Sequence, residues 1–186
     1  MRVVFLDRDG VINEYPGDFE YVKSWEEFRF LPQAKSALKR LTDQGIKIFT
    51  VSNQAGVSKG IYSQEELDRI SRNMIKELKD AGADISQALN CIHKQEENCN
   101  CRKPKTGMVE QVVLELKKSG HKVILKDSFF VGDSIRDIQA GKAMGLKTIL
   151  VFTGREKPEN SAKWSILPDF TCQDIQEAAN IILNKP

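Results

Sequence analysis

Arg2-Val3-Val4-Phe5-Leu6-Asp7-Arg8-Asp9-Gly10 opens the chain with a short apolar run that stops on two carboxylates and a glycine. A run of that length, rich in Val and Phe and closed by turn residues, predicts a strand buried on both faces. The same kind of unit recurs outward from it. Residues 32–44 carry Ala34, Ala37, Leu38 and Leu41 at helical spacing before Gly45, and residues 46–51 form the next strand. Ser63-Gln64-Glu65-Glu66 has the pattern of a capping box opening a helix that buries Leu67, Ile70, Met74 and Leu78. Strands are expected at 88–92, 128–131 and 147–152, and helices at 108–118, 135–144 and 174–183. Strands alternating with helices predict an α/β fold, a doubly wound, Rossmann-like parallel sheet with helices on both faces. Neither a repeat nor a linker interrupts this order, so residues 1–186 are expected to form a single domain.

Composition narrows the function classes. The chain has 186 residues, 40% hydrophobic and 29% charged, and a net charge of +2, which fits a soluble globular fold and argues against bulk capture of nucleic acid or anionic membrane. The first apolar run ends at Asp7, too soon for a signal peptide, and no run approaches the ~20 residues of a membrane helix. A cytoplasmic monomer is expected.

Ligands of parallel sheets bind where the strands end, and four polar clusters fall there: Asp7-Arg8-Asp9-Gly10, Ser52-Asn53-Gln54, Arg102-Lys103, and Gly132-Asp133 through Asp137. Asp7 and Asp9 are two residues apart, so an extended backbone would aim both carboxylates the same way, and Asp133 can approach from a neighbouring strand. Such acids repel one another unless a cation lies between them. Oxygen-only donors suit a hard ion such as Mg2+ that leaves positions free for phosphate. Lys103 and the Ser52 hydroxyl supply donors for phosphoryl oxygens. Neither G-x-x-x-x-G-K-[ST] nor G-x-G-x-x-G occurs, which argues against kinases and dinucleotide enzymes.

Three of the four cysteines lie in one polar segment with one of two histidines: Cys91, His93, Cys99 and Cys101. Three thiolates and an imidazole suit tetrahedral Zn2+ with no open position, a structural site pinning a loop at 91–101. Cys101 directly precedes Arg102 and Lys103, so the metal is also expected to fix where those cations point. Cys172 is expected to be a buried apolar residue, His121 a surface or capping residue, and Trp25 and Trp164 packing residues.

Phe5-Leu6-Asp7-Arg8-Asp9-Gly10-Val11-Ile12-Asn13, Thr50-Val51-Ser52-Asn53-Gln54, Cys101-Arg102-Lys103-Pro104 and Val131-Gly132-Asp133-Ser134 resemble, in order, the four motifs of the haloacid dehalogenase-like phosphatases. Within them the chain is most similar to the D-glycero-D-manno-heptose 1,7-bisphosphate phosphatase and histidinol-phosphatase group. The resemblance implies a Mg2+-dependent phosphomonoester hydrolase working through an aspartyl phosphate, with removal of the 7-phosphate of heptose 1,7-bisphosphate as the favoured reaction. Histidinol phosphate or another small phosphomonoester is the alternative. It implies Asp7 as nucleophile, Asp9 as acid and base, Ser52 and Lys103 as stabilisers of the transferring group, and Mg2+ on Asp7, the backbone carbonyl of Asp9, and Asp133. Arg102 and Ser134 are expected at the substrate, as are Asn53 and Gln54 of the second motif, with Asp137 supporting the site from behind. Ser134 stands where heptose enzymes often carry Lys, which removes one phosphate contact. Residues 14–23, which hold substrate in the family, here contain Asp18, Phe19, Glu20 and Tyr21, aligned with the substrate loop.

The intervals between motifs are consumed by a helix, a strand and the cysteine loop, leaving no room for a cap domain. An open site enclosed only by its loops fits a small sugar phosphate. Two readings of other classes stand against it: a receiver domain, whose phospho-acceptor follows a middle strand, and a non-catalytic module stabilised by zinc.

Overall fold

A computed structural model describes residues 1–185. Six strands, β1 (Val3–Leu6), β2 (Lys47–Asn53), β3 (Ile85–Cys91), β4 (Phe129–Gly132), β5 (Lys147–Val151) and β6 (Phe170–Cys172), form one parallel sheet in the order β3-β2-β1-β4-β5-β6. Five helices connect or flank them: α1 (Ala34–Asp43), α2 (Gln64–Asp80), α3 (Gly107–Lys118), α4 (Ile135–Ala143) and α5 (Ile175–Asn184).

Strand residues alternate between two cores because successive side chains point to opposite faces. Val4, Leu6, Ile48, Val131 and Ile149 join α1, α2 and α5 on one face. Val3, Phe5, Phe49, Val51 and Phe130 join α3 and α4 on the other. Each large apolar side chain so buried contributes about 1.5–3 kcal/mol relative to exposure. The near-continuous apolar strands of the sequence follow from burial on both faces.

Helix ends follow local chemistry. The Ser63 hydroxyl accepts from the Glu66 amide at 3.2 Å, but the Glu66 carboxylate does not complete a capping box. It accepts instead from the Trp25 amide and Arg69. Asp174 caps α5 through the Glu177 amide at 2.9 Å. β6 was not anticipated: its three residues form an edge strand too short to show a period.

The chain passes from β1 outward to β2 and β3, then crosses to β4 on the other side of β1. Such a reversal opens a crevice at the carboxyl ends of the strands. Leu6 pairs with Val131 and with Thr50, which sets Asp7, Ser52 and Asp133 around one point. Asn53 pairs with Cys91, so the cysteine loop leaves the sheet beside it. Between β1 and α1 the chain forms loops and one 3-10 turn, Trp25–Glu27, rather than a second globular unit. Trp25 stacks on Phe28 with ring centroids 5.0 Å apart and Trp164 stacks on Phe152; both pack, and Cys172 is buried. No helix among the described residues is long and apolar enough to cross a membrane.

Candidate active site

A cleft of about 320 Å³ opens at the strand ends. Asp7, Asp133 and Asp137 meet there, each offering an oxygen within 4.8 Å of the others. Lys103, only 3% exposed, places its Nζ 2.8 Å from Asp7 Oδ2 and 2.6 Å from Asp137 Oδ1. Asp137 also accepts from the Ser134 hydroxyl at 2.7 Å and the Ser134 amide at 3.1 Å. Asp133 accepts from the Arg155 amide at 2.8 Å. Glycines make room for these acids: a Cβ on Gly154 would lie 2.0 Å from Asp133 Oδ2, and one on Gly132 2.1 Å from Asp137 Cβ.

Three clustered carboxylates have one ammonium among them, paired with Asp7 and Asp137, and the excess negative charge is visible in the proton affinity of Asp7 and Asp133. Burial raises the Asp7 carboxyl to about 6; Lys103 opposes that, and Asp137 reinforces it. Burial, then Asp7 and Asp137, hold Asp133 well above the ordinary carboxylate range. Burial pulls Lys103 down, but Asp137 and Asp7 outweigh it and keep it charged. A surplus of hard oxygen donors at one point suits a divalent cation such as Mg2+, and Asp7 and Asp133 could hold one. An acid whose folded pKa is raised binds more protons folded than unfolded, so the metal-free fold loses stability as pH rises from about 4 to about 6. A cation bound there would replace those protons. Millimolar Mg2+ is therefore expected to raise Tm at pH 7.5 and to raise it much less at pH 5; an equal shift at both would remove these carboxylates as ligands.

Asp9 is held differently. Its carboxylate accepts from Arg8 Nε and Nη2 at 3.1 and 3.0 Å, from Asn13 Nδ2 at 2.8 Å and from Gln54 Nε2 at 2.8 Å. Gln54 also donates to Ser52 Oγ at 2.9 Å and accepts from the Tyr62 hydroxyl at 2.6 Å. Gln54, expected at the substrate, is thus fully buried behind the cleft, where it orients Asp9 and Ser52. Arg8, 1% exposed, escaped the sequence reading. Its signal was there, since an Arg between two Asp residues at a strand end has carboxylates at hand to pair with when buried.

Cys91, His93, Cys99 and Cys101 converge. Sulfur pairs lie 3.1 to 3.6 Å apart, and His93 Nδ1 lies 3.6 Å from Cys91 Sγ and 3.2 Å from Cys101 Sγ. The three cysteines form no disulfide; their sulfurs are too far apart for a disulfide's ~2.05 Å and near the ~3.8 Å edge of a tetrahedron with 2.3 Å zinc–sulfur bonds. From this loop Arg102 donates to the His93 carbonyl at 3.2 Å. Asn53 brackets Lys103, accepting from its amide and donating to its carbonyl at 3.0 Å each.

Asp9, Ser52, Asn53, Arg102, Ser134, Phe19, Glu20 and Tyr21 all line the cleft with Asp7, Lys103 and Asp133. Asp18 does not. It turns to the Arg155 guanidinium at 3.0 Å and accepts from the Tyr15 hydroxyl at 2.6 Å. Ser134 spends its hydroxyl on Asp137. Phe19, at φ 67 and 86% exposed, stands at the lip. The sequence reading did not single out Tyr15, Lys59, Lys94, Arg136 and Arg155, which also line the cleft; Tyr15, Lys94 and Arg136 lie in segments it marked, but none has a pattern of its own.

The chain matches a family model described as HAD-hydrolase-like over residues 100–178. It is 34% identical to the D-glycero-beta-D-manno-heptose-1,7-bisphosphate 7-phosphatase of Neisseria meningitidis serogroup A, over 96% of this chain and 97% of that protein. It is also 34% identical to the D-glycero-alpha-D-manno-heptose-1,7-bisphosphate 7-phosphatase of Photorhabdus laumondii, over 86% and 87%. Among solved structures, the D,D-heptose 1,7-bisphosphate phosphatase from B. bronchiseptica, complexed with magnesium and phosphate, superposes with a TM-score of 0.88 at 30% identity, covering 98% of each chain.

Proposed function

The chain belongs to the HAD-like phosphatases, in the family of the heptose 1,7-bisphosphate 7-phosphatases, and from that premise we propose that it removes the 7-phosphate of D-glycero-D-manno-heptose 1,7-bisphosphate. The observation that carries the proposal is the match at 34% identity across nearly the whole of both chains, with a carboxylate cluster and a buried lysine at its centre.

In the proposed mechanism Asp7 attacks the 7-phosphorus. The bond from phosphorus to the sugar oxygen breaks, its electron pair leaves with that oxygen, and protonated Asp9 supplies the proton. An aspartyl phosphate on Asp7 remains. Asp9, now a base, takes a proton from water, which attacks the phosphorus and frees Asp7 and inorganic phosphate. Arg8, Asn13 and Gln54 keep the Asp9 carboxylate in place. Lys103 and Ser52 donate to the transferring oxygens, where charge builds in the transition state. Mg2+, held by Asp7 and Asp133, would neutralise the phosphate and the clustered acids. The product is expected to be heptose 1-phosphate. Phosphate release from both anomers of the bisphosphate and from histidinol phosphate tests this: one heptose anomer should exceed histidinol phosphate in kcat/KM by at least tenfold, and a preference for histidinol phosphate would overturn it. No release from any of them with Mg2+ present would favour a binding module.

The same reading includes structural Zn2+ on Cys91, His93, Cys99 and Cys101, supported by their spacing in space. Elemental analysis is expected to give about one zinc per chain. Chelation should raise KM more than it lowers kcat, because Arg102 hangs on the His93 carbonyl; a metal-free protein with wild-type KM would contradict the coupling.

A further inference from the structure

The fully buried Gln54 has partners at both ends of its side-chain amide. Nε2 donates to Asp9 Oδ2 at 2.8 Å and to Ser52 Oγ at 2.9 Å, which uses both of its hydrogens. Oε1 accepts from the Tyr62 hydroxyl at 2.6 Å. An ionised carboxylate accepts and cannot donate, so the charge on Asp9 keeps the nitrogen of the amide on its side. That orientation decides where the proton of Ser52 goes. The Ser52 oxygen takes a hydrogen from Gln54, while its own hydrogen has no acceptor among the described residues. It is left for a group in the cleft that Ser52 lines.

Tyr62 belongs to none of the four strand-end motifs, yet the chain makes room for it. Its ring is buried, and a Cβ on Gly56 would lie 2.1 Å from its Cε1. Tyr21, from the loop at 14–23, tilts against the same ring with centroids 6.0 Å apart. Burial pushes the Tyr62 phenol above its ordinary range, against the pull of Arg8, so its proton stays in place to be donated. In the step where Asp9 holds the proton for the leaving oxygen, its charge no longer orients the amide. The Tyr62 hydroxyl is then the group that does, because turning the amide over would leave a buried phenol proton with no acceptor. Without that hydroxyl, Oε1 is itself a buried acceptor with no donor, and it finds one by turning to Ser52 Oγ. We propose that Tyr62 is a positioning residue for phosphoryl transfer: by holding Gln54 Oε1 away from Ser52, its hydroxyl keeps the Ser52 proton free for the transferring phosphoryl oxygens. This rests on the phosphatase mechanism above, but not on which ester is cleaved.

A double-mutant cycle of Tyr62→Phe and Ser52→Ala tests this, read in kcat and KM on heptose 1,7-bisphosphate and on p-nitrophenyl phosphate. Tyr62→Phe keeps the ring against Tyr21 and Gly56 and removes only the hydroxyl. It should lower kcat about tenfold with KM changed by less than about twofold, part of the loss expected when a donor to developing charge is removed. Made in Ser52→Ala, the same substitution should change kcat by less than about twofold, because the proton it misdirects is already gone. Equal losses in the two backgrounds would overturn the proposal, since Tyr62 would then act on Asp9 or on the fold. So would an unchanged kcat in Tyr62→Phe alone, or a loss confined to KM. If the wild type cleaves p-nitrophenyl phosphate but not the heptose ester, the heptose reading fails and the cycle on p-nitrophenyl phosphate still decides the role of Tyr62; cleavage of neither removes the mechanism and this proposal together.

Discussion

Asp7→Asn is expected to lower kcat roughly 10^4-fold or more while leaving the thermal unfolding transition in place. The substitution replaces one oxygen of a carboxylate by a nitrogen of nearly the same size, so the packing around it survives and the nucleophile does not. It also removes one of the three clustered acids, two of which pair with Lys103, and a stability equal to or above that of the wild type in Mg2+-free buffer is the corollary. Phosphate esters resist water so strongly that catalysis by positioning alone leaves little rate. A variant within tenfold of the wild type would exclude covalent attack by Asp7.

Lys103→Met should cost both activity and fold. The ammonium is 3% exposed and sits against Asp7 and against Asp137, which is fully buried. Removing one member of a buried ion cluster leaves the others without compensation, which costs about 3–5 kcal/mol. Methionine keeps most of the volume, so the loss is electrostatic. The urea midpoint should fall accordingly without Mg2+, and Mg2+ should recover part of it by neutralising the acids. Turnover should drop at least ~10^2-fold, the order expected when a donor to developing charge is removed. An unchanged midpoint would mean that the cluster is not under the strain described.

The sheet and the centre of the site were legible because their signals are local. Val3–Leu6 and Phe129–Gly132 are apolar runs that end on acids, and C-x-H-x5-C-x-C is a spacing that brings four ligands together within one loop. The supporting network was not. Gln54 reaches Asp9 across 45 residues, and nothing in Ser52-Asn53-Gln54 distinguishes a side chain that touches substrate from one that holds Asp9. The loop at 14–23 was aligned as a block, but its residues part ways: Phe19, Glu20 and Tyr21 face the cleft while Asp18 turns to Arg155. That pairing joins distant stretches of chain, which periodicity cannot register. Arg136 lies in the first turn of α4, a helix whose sequence is amphipathic in an ordinary way, and only the fold sets it on the same cleft as Arg102. β6 has three residues and owes its existence to the open edge of β5.

The account turns on Asp7 carrying the phosphoryl group. A single-turnover reaction with heptose 1,7-bisphosphate labelled in the 7-phosphate, quenched in acid at intervals and digested, tests that most directly. Label should appear on the peptide containing Asp7, rise before free phosphate does, and decay at a rate no slower than turnover, and it should be absent from Asp7→Asn. Phosphate released at full rate with no label ever on that peptide would contradict it.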